Sequence, residues 1–305
     1  MINEDVPAAL DGQRLDRIVA LLGDISRSDA AAAIANGGVS VDGQLASSGK
    51  VRLVEGQSIG VDPTSFPRIQ LPQPDPDVEF SVIYEDESII VIDKPAGLVV
   101  HPGAGNMEGT LANGLLARFP EIVDVGESNR PGIVHRLDSG SSGLLVVART
   151  QVAADFLIAQ FADHTCTRRY EALVWGVPDA PHGIIDAPLG RSRSDPLKMA
   201  VVANGKYART DYRVIGTYRE PAVVSRVDCR LETGRTHQIR VHLSSINHPL
   251  VGDPTYGQRR PNLGVQRPFL HAAELAFNHP DTGERVTFYS PLAPDLQAWL
   301  DAASS

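Results

Sequence analysis

The sequence predicts an α+β protein in two parts, a small module of helices and short strands followed by a larger mixed sheet with helices on its flanks. Three observations carry that expectation. Two short helix patterns precede turn-linked β-like pieces within residues 1–62. A stretch holding five prolines, DPTSFPRIQLPQPDPD from Asp62 to Asp77, then disfavours both helix and central strand and reads as a linker over 63–77. From 78 to 305 strands and helices alternate irregularly with hairpin-like turns, unlike a doubly wound parallel sheet.

Each element has its own signal. Asp11 is placed to cap a helix beginning near Gln13, with Leu15, Ile18, Val19 and Leu22 on one face and Gly23 at its end. Ser26 is placed to cap a second helix through Ala30–Ile34, closed by Gly37 and Gly38. Val39–Val41 and Val51–Leu53 read as β pieces with a turn at Asp42-Gly43. In the second part, Val82–Tyr84 and Ser88–Ile92 read as strands around an Asp86 turn. Lys94-Pro95-Ala96-Gly97-Leu98 and a Gly-rich loop, His101-Pro102-Gly103-Ala104-Gly105, follow them. Thr110–Phe119 reads as an amphipathic helix, Leu144–Ala148 as a buried strand and Gln151–His164 as a helix. Arg169–Trp175 and Val223–Leu231 read as strands.

Composition bounds the function. With 42% hydrophobic and 21% charged residues the chain has the balance of a soluble globular protein. No apolar run approaches the roughly 18 residues that span a bilayer. The N-terminus, MINEDVPAAL, lacks the basic and apolar regions of a secretory signal, so the cytoplasm is the expected compartment. Two cysteines, Cys166 and Cys229, are too few for a disulfide framework or a Cys-built zinc site.

Net charge is −9, but its distribution matters more than its sum. Residues 1–75 carry −4, 76–129 carry −8, 130–240 carry +5 and 241–305 carry −2. Of the 16 cations between Arg130 and Arg240, 14 are arginine, the residue suited to bidentate phosphate contacts. A solvated surface explains scattered signs; a local phosphate-binding face better explains the segregation.

The chemistry points to GIVHRLDSGSSGLLVVART, Gly132 to Thr150. Its centre sets the carboxylate Asp138 between an arginine and a Ser/Gly-rich turn that leads into an apolar run. A pre-positioned carboxylate held ionised by a cation can attack an electrophilic carbon without a metal. His135, His237 and His242 lack acidic or cysteine partners at ligand spacing, so structural hydrogen bonding is expected of them and no metal site.

Four ordered segments, KPAGLVVHPG (94–103), GIVHRLDSGSSGLLVVA (132–148), TRRYEALVWG (167–176) and RLETGRTHQIRVHL (230–243), extended by NHPLVGDPTYG and FLHA, resemble the large-subunit ribosomal RNA pseudouridine synthases. Within that family the chain is most similar to the synthase D type, in which an alpha-L RNA-binding motif precedes the catalytic domain. The matching residues of that motif are Arg14-Leu15-Asp16, Ser26-Arg27-Ser28 and Gly38 through Gly43. Alpha-L motifs usually carry more Lys/Arg on the second helix. Asp29 and a run of alanines stand there instead, so an RNA-binding and a purely structural module are both open.

The resemblance implies a mainly antiparallel, bent catalytic sheet. It also implies a reaction that detaches uracil from ribose, rotates it and rejoins it through carbon, with no cofactor and no metal. It puts the nucleophile at Asp138, its ion-pair partner at Arg240 and the base-stacking tyrosine at Tyr170. Arg136 matches the arginine that fills the gap left by the flipped base, and Leu270 an apolar pocket wall; Arg235, by its place in the sequence, is expected to fix the loop around Arg240 or touch a phosphate. The family often has lysine just after the aspartate and threonine a little later, where Ser139 and Ser142 stand here. Whether the aspartate attacks the ribose anomeric carbon or carbon 6 of uracil stays open. The partner implied is structured RNA, most simply large-subunit ribosomal RNA or an assembly intermediate, met by a monomer away from any membrane. The rivals are a transfer-RNA uridine synthase of the same fold and an RNA-binding assembly factor without catalysis.

Overall fold

Two units divide the chain, Met1–Gln70 and Leu71–Ser305. The computed structural model describes residues 2–303 apart from 24, 26, 67–70, 104–105, 196–197 and 258–259. The expected Ser26 cap, part of the 101–105 loop and part of the proline-rich stretch lie outside the described residues.

The N-terminal unit is a four-stranded antiparallel sheet with two helices. Its strands are β1 (Ile2–Asp5), β2 (Val39–Val41), β3 (Gln44–Leu45) and β4 (Ser58–Val61), in the order β1-β4-β2-β3. The helices are α1 (Leu15–Gly23) and α2 (Arg27–Ala35). Leu15, Ile18 and Val19 of α1 meet Ala30, Ala33 and Ile34 of α2 in one core with Val39, Ile59 and Val61. The 3.6-residue spacing of α1's apolar residues produces that contact. Gly37 turns left-handed at φ +76°, and the N–H of Gly38 reaches back to the Ala33 carbonyl, which closes α2.

Two expectations fail in this unit. Asp11 does not cap α1, because its carboxylate accepts the Glu55 N–H from across the unit. Val51–Leu53 makes only an isolated bridge, Arg14 to Arg52. The strand across the Asp42-Gly43 turn is Gln44–Leu45, and β4 takes the other edge of β2.

The second unit is built on nine strands in one sheet, with a separate two-stranded ribbon. In chain order the strands are β5 (Ser81–Glu85), β6 (Ile89–Lys94), β7 (Ser142–Ala148), β8 (Thr167–Trp175) and β9 (His182–Asp186), then β10 (Leu189–Arg191), β11 (Met199–Val201), β12 (Arg209–Tyr218), β13 (Val224–Leu231), β14 (Leu270–Asn278) and β15 (Arg285–Tyr289). The sheet runs β5-β6-β7-β14-β8-β13-β12-β9, with β15 on β14; β10 and β11 form the ribbon. Every pairing is antiparallel except β7 with β14. The expected mixed, mainly antiparallel sheet is present.

Helices α3 (Leu111–Arg118), α4 (Gln151–Ala162), α5 (Gln238–Ser245) and α6 (Pro294–Ala302) pack on it. Thr110 and Asn113 form a reciprocal capping box at α3, and Thr150 caps α4. β7 is buried along its whole length, as its unbroken apolar run requires. In β8, alternate side chains enter different cores. Tyr170, Ala172 and Val174 join the main core with Ile239 and Leu243 of α5, whereas Leu173 and Trp175 pack with Leu296 and Leu300 of α6. That alternation sets Tyr170 toward α5. Among the described residues no helix is long and apolar enough to cross a membrane.

Candidate active site

Asp138 lies in the segment before β7, where a turn through Ser139 and Gly140 closes with a Ser141 N–H to Asp138 carbonyl bond of 3.1 Å. The first expected motif anchors this turn. Lys94 is fully buried at the end of β6, and its Nζ donates to the carbonyls of Pro95, Leu98 and Ser139 at 2.7, 2.8 and 3.3 Å. Burial draws the Lys94 pKa down to about 7. The Gly97 N–H adds a second bond to the Ser139 carbonyl, 2.7 Å. The Lys-Pro-Ala-Gly loop thus holds the residue after the candidate nucleophile by its backbone.

Arg240 sits in the first turn of α5, buried, with Nη1 3.1 Å from Asp138 Oδ2. Its other two nitrogens form a bidentate pair with Asp253, Nε to Oδ2 at 2.7 Å and Nη2 to Oδ1 at 2.9 Å. Asp253 is wholly buried and also accepts the N–H groups of Thr255 and Tyr256. Burial pushes the Asp253 pKa up, but the Arg240 bonds and charge and those two N–H groups outweigh it, leaving the carboxyl below its ordinary range. Burial likewise opposes the charge on Arg240, and the two aspartates overcome it, so its pKa lies above the usual value. The Tyr256 ring lies 5.1 Å under the same guanidinium.

The loop leading into α5 is fixed by a satisfied buried amide. Gln238 accepts the Thr233 hydroxyl and the Arg235 N–H, and donates to the Arg209 carbonyl and the Thr210 hydroxyl. His237 precedes α5 in the left-handed region, φ +56°, with Nδ1 2.9 Å from the Tyr256 hydroxyl.

Asp138, Tyr170, Arg240, Arg136, Arg235 and Leu270 all line one open pocket of about 520 Å³. Tyr170 and Leu270 are 7% and 4% exposed and come from β8 and β14, adjacent in the sheet. Burial, with the Asp138 charge adding to it, lifts the Tyr170 hydroxyl to about 12, and no protein hydrogen bond contributes. Arg136 is exposed at the rim, where it meets only His101, 3.4 Å away, and no carboxylate pairs with it among the described residues. Arg235 donates through Nε to the Tyr207 carbonyl.

The histidines hydrogen-bond within the fold. His135 Nε2 accepts the Val146 N–H, and His242 bridges the Thr210 hydroxyl and the Ala187 carbonyl. Sequence reasoning missed Asp253, Tyr256 and Lys94. The first two lie in NHPLVGDPTYG and the third in KPAGL, so the segments were visible while the roles were not.

An ionisable carboxylate beside a doubly anchored guanidinium, facing an aromatic ring and an apolar wall, suits covalent attack on a bound planar base. Comparison with known proteins places the chain in a family. Residues 88–245 match the RNA pseudouridylate synthase family, and residues 13–59 match the S4 domain. The chain is 44% identical over 299 residues to the ribosomal large subunit pseudouridine synthase D of Zymomonas mobilis subsp. mobilis, covering 94% of this chain and 92% of that protein. It is 45% identical over 309 residues to the protein of the same name from Pseudomonas aeruginosa, covering 97% and 93%. Among solved structures, human RNA Pseudouridylate Synthase Domain Containing 1 superposes with a TM-score of 0.60 at 30% identity, over 76% of this chain and 91% of that one. With a family match across half its length and relatives of this identity along nearly all of it, the chain belongs to the RNA pseudouridylate synthase family and carries an S4 domain ahead of the catalytic one.

Proposed function

We propose that the chain isomerises uridine to pseudouridine in large-subunit ribosomal RNA, in the cytoplasm, with Asp138 as nucleophile on a flipped-out nucleotide. One observation carries the reading: Arg240 links Asp138 to the buried Asp253 inside a pocket that also presents Tyr170. A factor that only bound RNA would need no such carboxylate–guanidinium–carboxylate chain. The ribosomal target is taken from the names of the relatives that match along nearly the whole chain.

In this reading the uracil ring stacks on Tyr170 and against Leu270, and aromatic stacking of a base contributes roughly 1–3 kcal/mol. Arg136, exposed and without a carboxylate partner among the described residues, enters the gap the base leaves. Arg235 holds the 232–237 loop. Arg240 offsets the desolvation of the Asp138 carboxylate while the base excludes water. The 63–77 stretch is the linker between the S4 and catalytic domains.

Mapping pseudouridines in ribosomal and transfer RNA from cells with and without the chain tests the target. Loss of specific sites in large-subunit RNA is expected; loss confined to transfer RNA would move the target, and no loss would refute the activity. Asp138→Asn keeps the shape but removes the nucleophile. Turnover should vanish while RNA affinity stays within about threefold.

A further inference from the structure

Tyr170 has a neighbour on its own face of β8 that the mechanism so far does not use. Side chains two apart on a strand share a face, and the buried positions on this one are Arg168, Tyr170, Ala172 and Val174. Arg168 is 7% exposed and lines the same pocket as Asp138 and Tyr170. The adjacent Arg169, on the other face, has Glu274, Asp228 and Glu171 at 3.0, 3.3 and 3.5 Å. Arg168 has no carboxylate partner among the described residues. Its Nη2 donates to the Glu232 carbonyl at 2.8 Å, its Nε is buried without an acceptor, and the guanidinium lies 5.3 Å over the Phe161 ring. A buried cation answered by one carbonyl and a ring face is costly to keep unless an anion comes to it.

The reaction generates one. When an Asp138 oxygen bonds to the anomeric carbon and the bond to N1 breaks, the electron pair leaves with N1, and uracil becomes an anion shared over N1, O2 and O4. If Asp138 adds to carbon 6 instead, the C5=C6 pair moves outward to O4 as an enolate. The negative ring must then persist until carbon 5 bonds to the anomeric carbon. In the first route that bond releases the Asp138 carboxylate, carbon 5 gives up its proton and N1 takes one up. In the second, carbon 5 displaces N1 at the anomeric carbon, N1 takes up a proton, and loss of the carbon 5 proton expels Asp138 from carbon 6. In both, product and substrate are isomers.

The other pocket arginines are ion-paired or nearer to solvent. All three nitrogens of Arg240 face Asp138 and Asp253, Arg235 holds the Tyr207 carbonyl, and Arg130 pairs with Glu127. Arg136 stands exposed at the rim.

We propose that Arg168 is the electrostatic partner of the detached uracil: with the ring stacked on Tyr170, its guanidinium meets a carbonyl oxygen at the ring edge and stabilises the charge that develops there. The proposal rests on the uridine-isomerising reading above and deepens it by naming the group that receives the base's charge.

The test uses the full chain and a transcript of large-subunit ribosomal RNA labelled with tritium at carbon 5 of uridine. It measures tritium release with enzyme in excess, RNA Kd across a salt series, and thermal unfolding. Arg168→Gln should slow release on the order of 10²- to 10³-fold, the scale for losing one oxyanion donor, while Kd moves less than about threefold. Arg168→Lys should recover activity to within about tenfold of the wild type by restoring the charge without the fork.

Gly234→Ala reaches the same group without touching the buried strand. A Cβ built at Gly234 lies 2.5 Å from Arg168 Nη1, so the guanidinium must shift, and Gly234 itself is exposed. This variant should fold normally and release tritium about tenfold more slowly, so the test stands even if Arg168→Gln does not fold. In a transcript carrying 5-fluorouridine, whose fluorine acidifies the base, the gap between wild type and Arg168→Gln in consumption of the target nucleotide should narrow. A purely structural defect would not narrow it.

Wild-type rates in the folded Arg168 and Gly234 variants would overturn the proposal. So would a raised Kd with a shallower salt slope and an unchanged single-turnover rate, which would assign Arg168 to a phosphate. An equal defect on fluorouridine would make its role structural. Tritium release by the wild-type chain separates all of these from failure of the underlying reading, in which the wild type itself would be inactive.

Discussion

Arg240 engages a different carboxylate oxygen with each of its three nitrogens, and two of those oxygens belong to the fully buried Asp253. Removing the guanidinium in Arg240→Met therefore strands a buried carboxylate as well as the proposed nucleophile. The expected loss is on the order of 3–5 kcal/mol in urea unfolding, with turnover abolished. Wild-type stability would mean that Asp253 is not buried against Arg240 in solution. His135 supports a second prediction at this scale. Its Nε2 accepts the Val146 N–H, and burial together with the nearby Arg168 charge holds its pKa at about 3. A free imidazole takes its proton near 6.5. Between those values the unfolded chain binds the extra proton, so stability rises with pH and is lost on acidification, at up to about 1.4 kcal/mol per pH unit for one group. His135→Gln retains an acceptor for Val146, and the dependence of stability on pH between 6 and 4 should flatten by about one proton. An unchanged slope would show that His135 is not the group held neutral.

At the scale of elements, the β7–β14 pairing brings the Asp138 turn beside β8, and one residue controls it. Gly143 has φ +110°, and a Cβ there would lie 2.3 Å from the Ala272 carbonyl oxygen, an atom of backbone that cannot swing aside. Gly143→Ala should cost on the order of 2–4 kcal/mol and lower turnover by displacing Asp138; a chemical melt matching wild type would show that the two strands are further apart than this. The same strand explains what could be read in advance. The run Leu144–Ala148 is apolar without a break because both faces are covered, and such runs announce themselves. Helix α5 did not, since the polar yet buried Gln238, Arg240 and His242 alternate with Ile239, Val241 and Leu243 and blur the apolar stripe that periodicity would detect. Asp138, Tyr170 and Arg240 were legible because each sits in a dense motif whose order along the chain resembles a known family. Asp253 stayed hidden because its role exists only once the 246–252 segment folds its carboxylate back under a helix thirteen positions upstream. The failed Asp11 cap has the same origin: a good local capper was claimed by a backbone N–H 44 positions away.

For the whole molecule, charge and core partition differently. The N-terminal unit closes its own core from residues between Val6 and Val61, and the buried clusters of the second unit lie between Ile89 and Leu300. Each unit therefore has the apolar contacts to fold separately. The net positive segment, residues 130–240, lies in the second unit. Residues 1–75 are net negative, and two of the cations there, Arg14 and Arg27, are both held by the buried Asp16. Phosphate contacts set the salt dependence of RNA binding at about −0.7 to −0.9 per contact in log–log slope. Deleting residues 1–70 should thus leave a folded, active chain whose salt slope changes by about one contact or less, while affinity for large-subunit RNA falls no more than about tenfold and site choice broadens. The checks are filter binding of full and shortened chains over a salt series, with pseudouridine mapping on the same transcript. Collapse of the slope would place the electrostatic grip in the S4 domain in spite of its acidity. A shortened chain that fails to fold would show that the core of the second unit is not sufficient by itself.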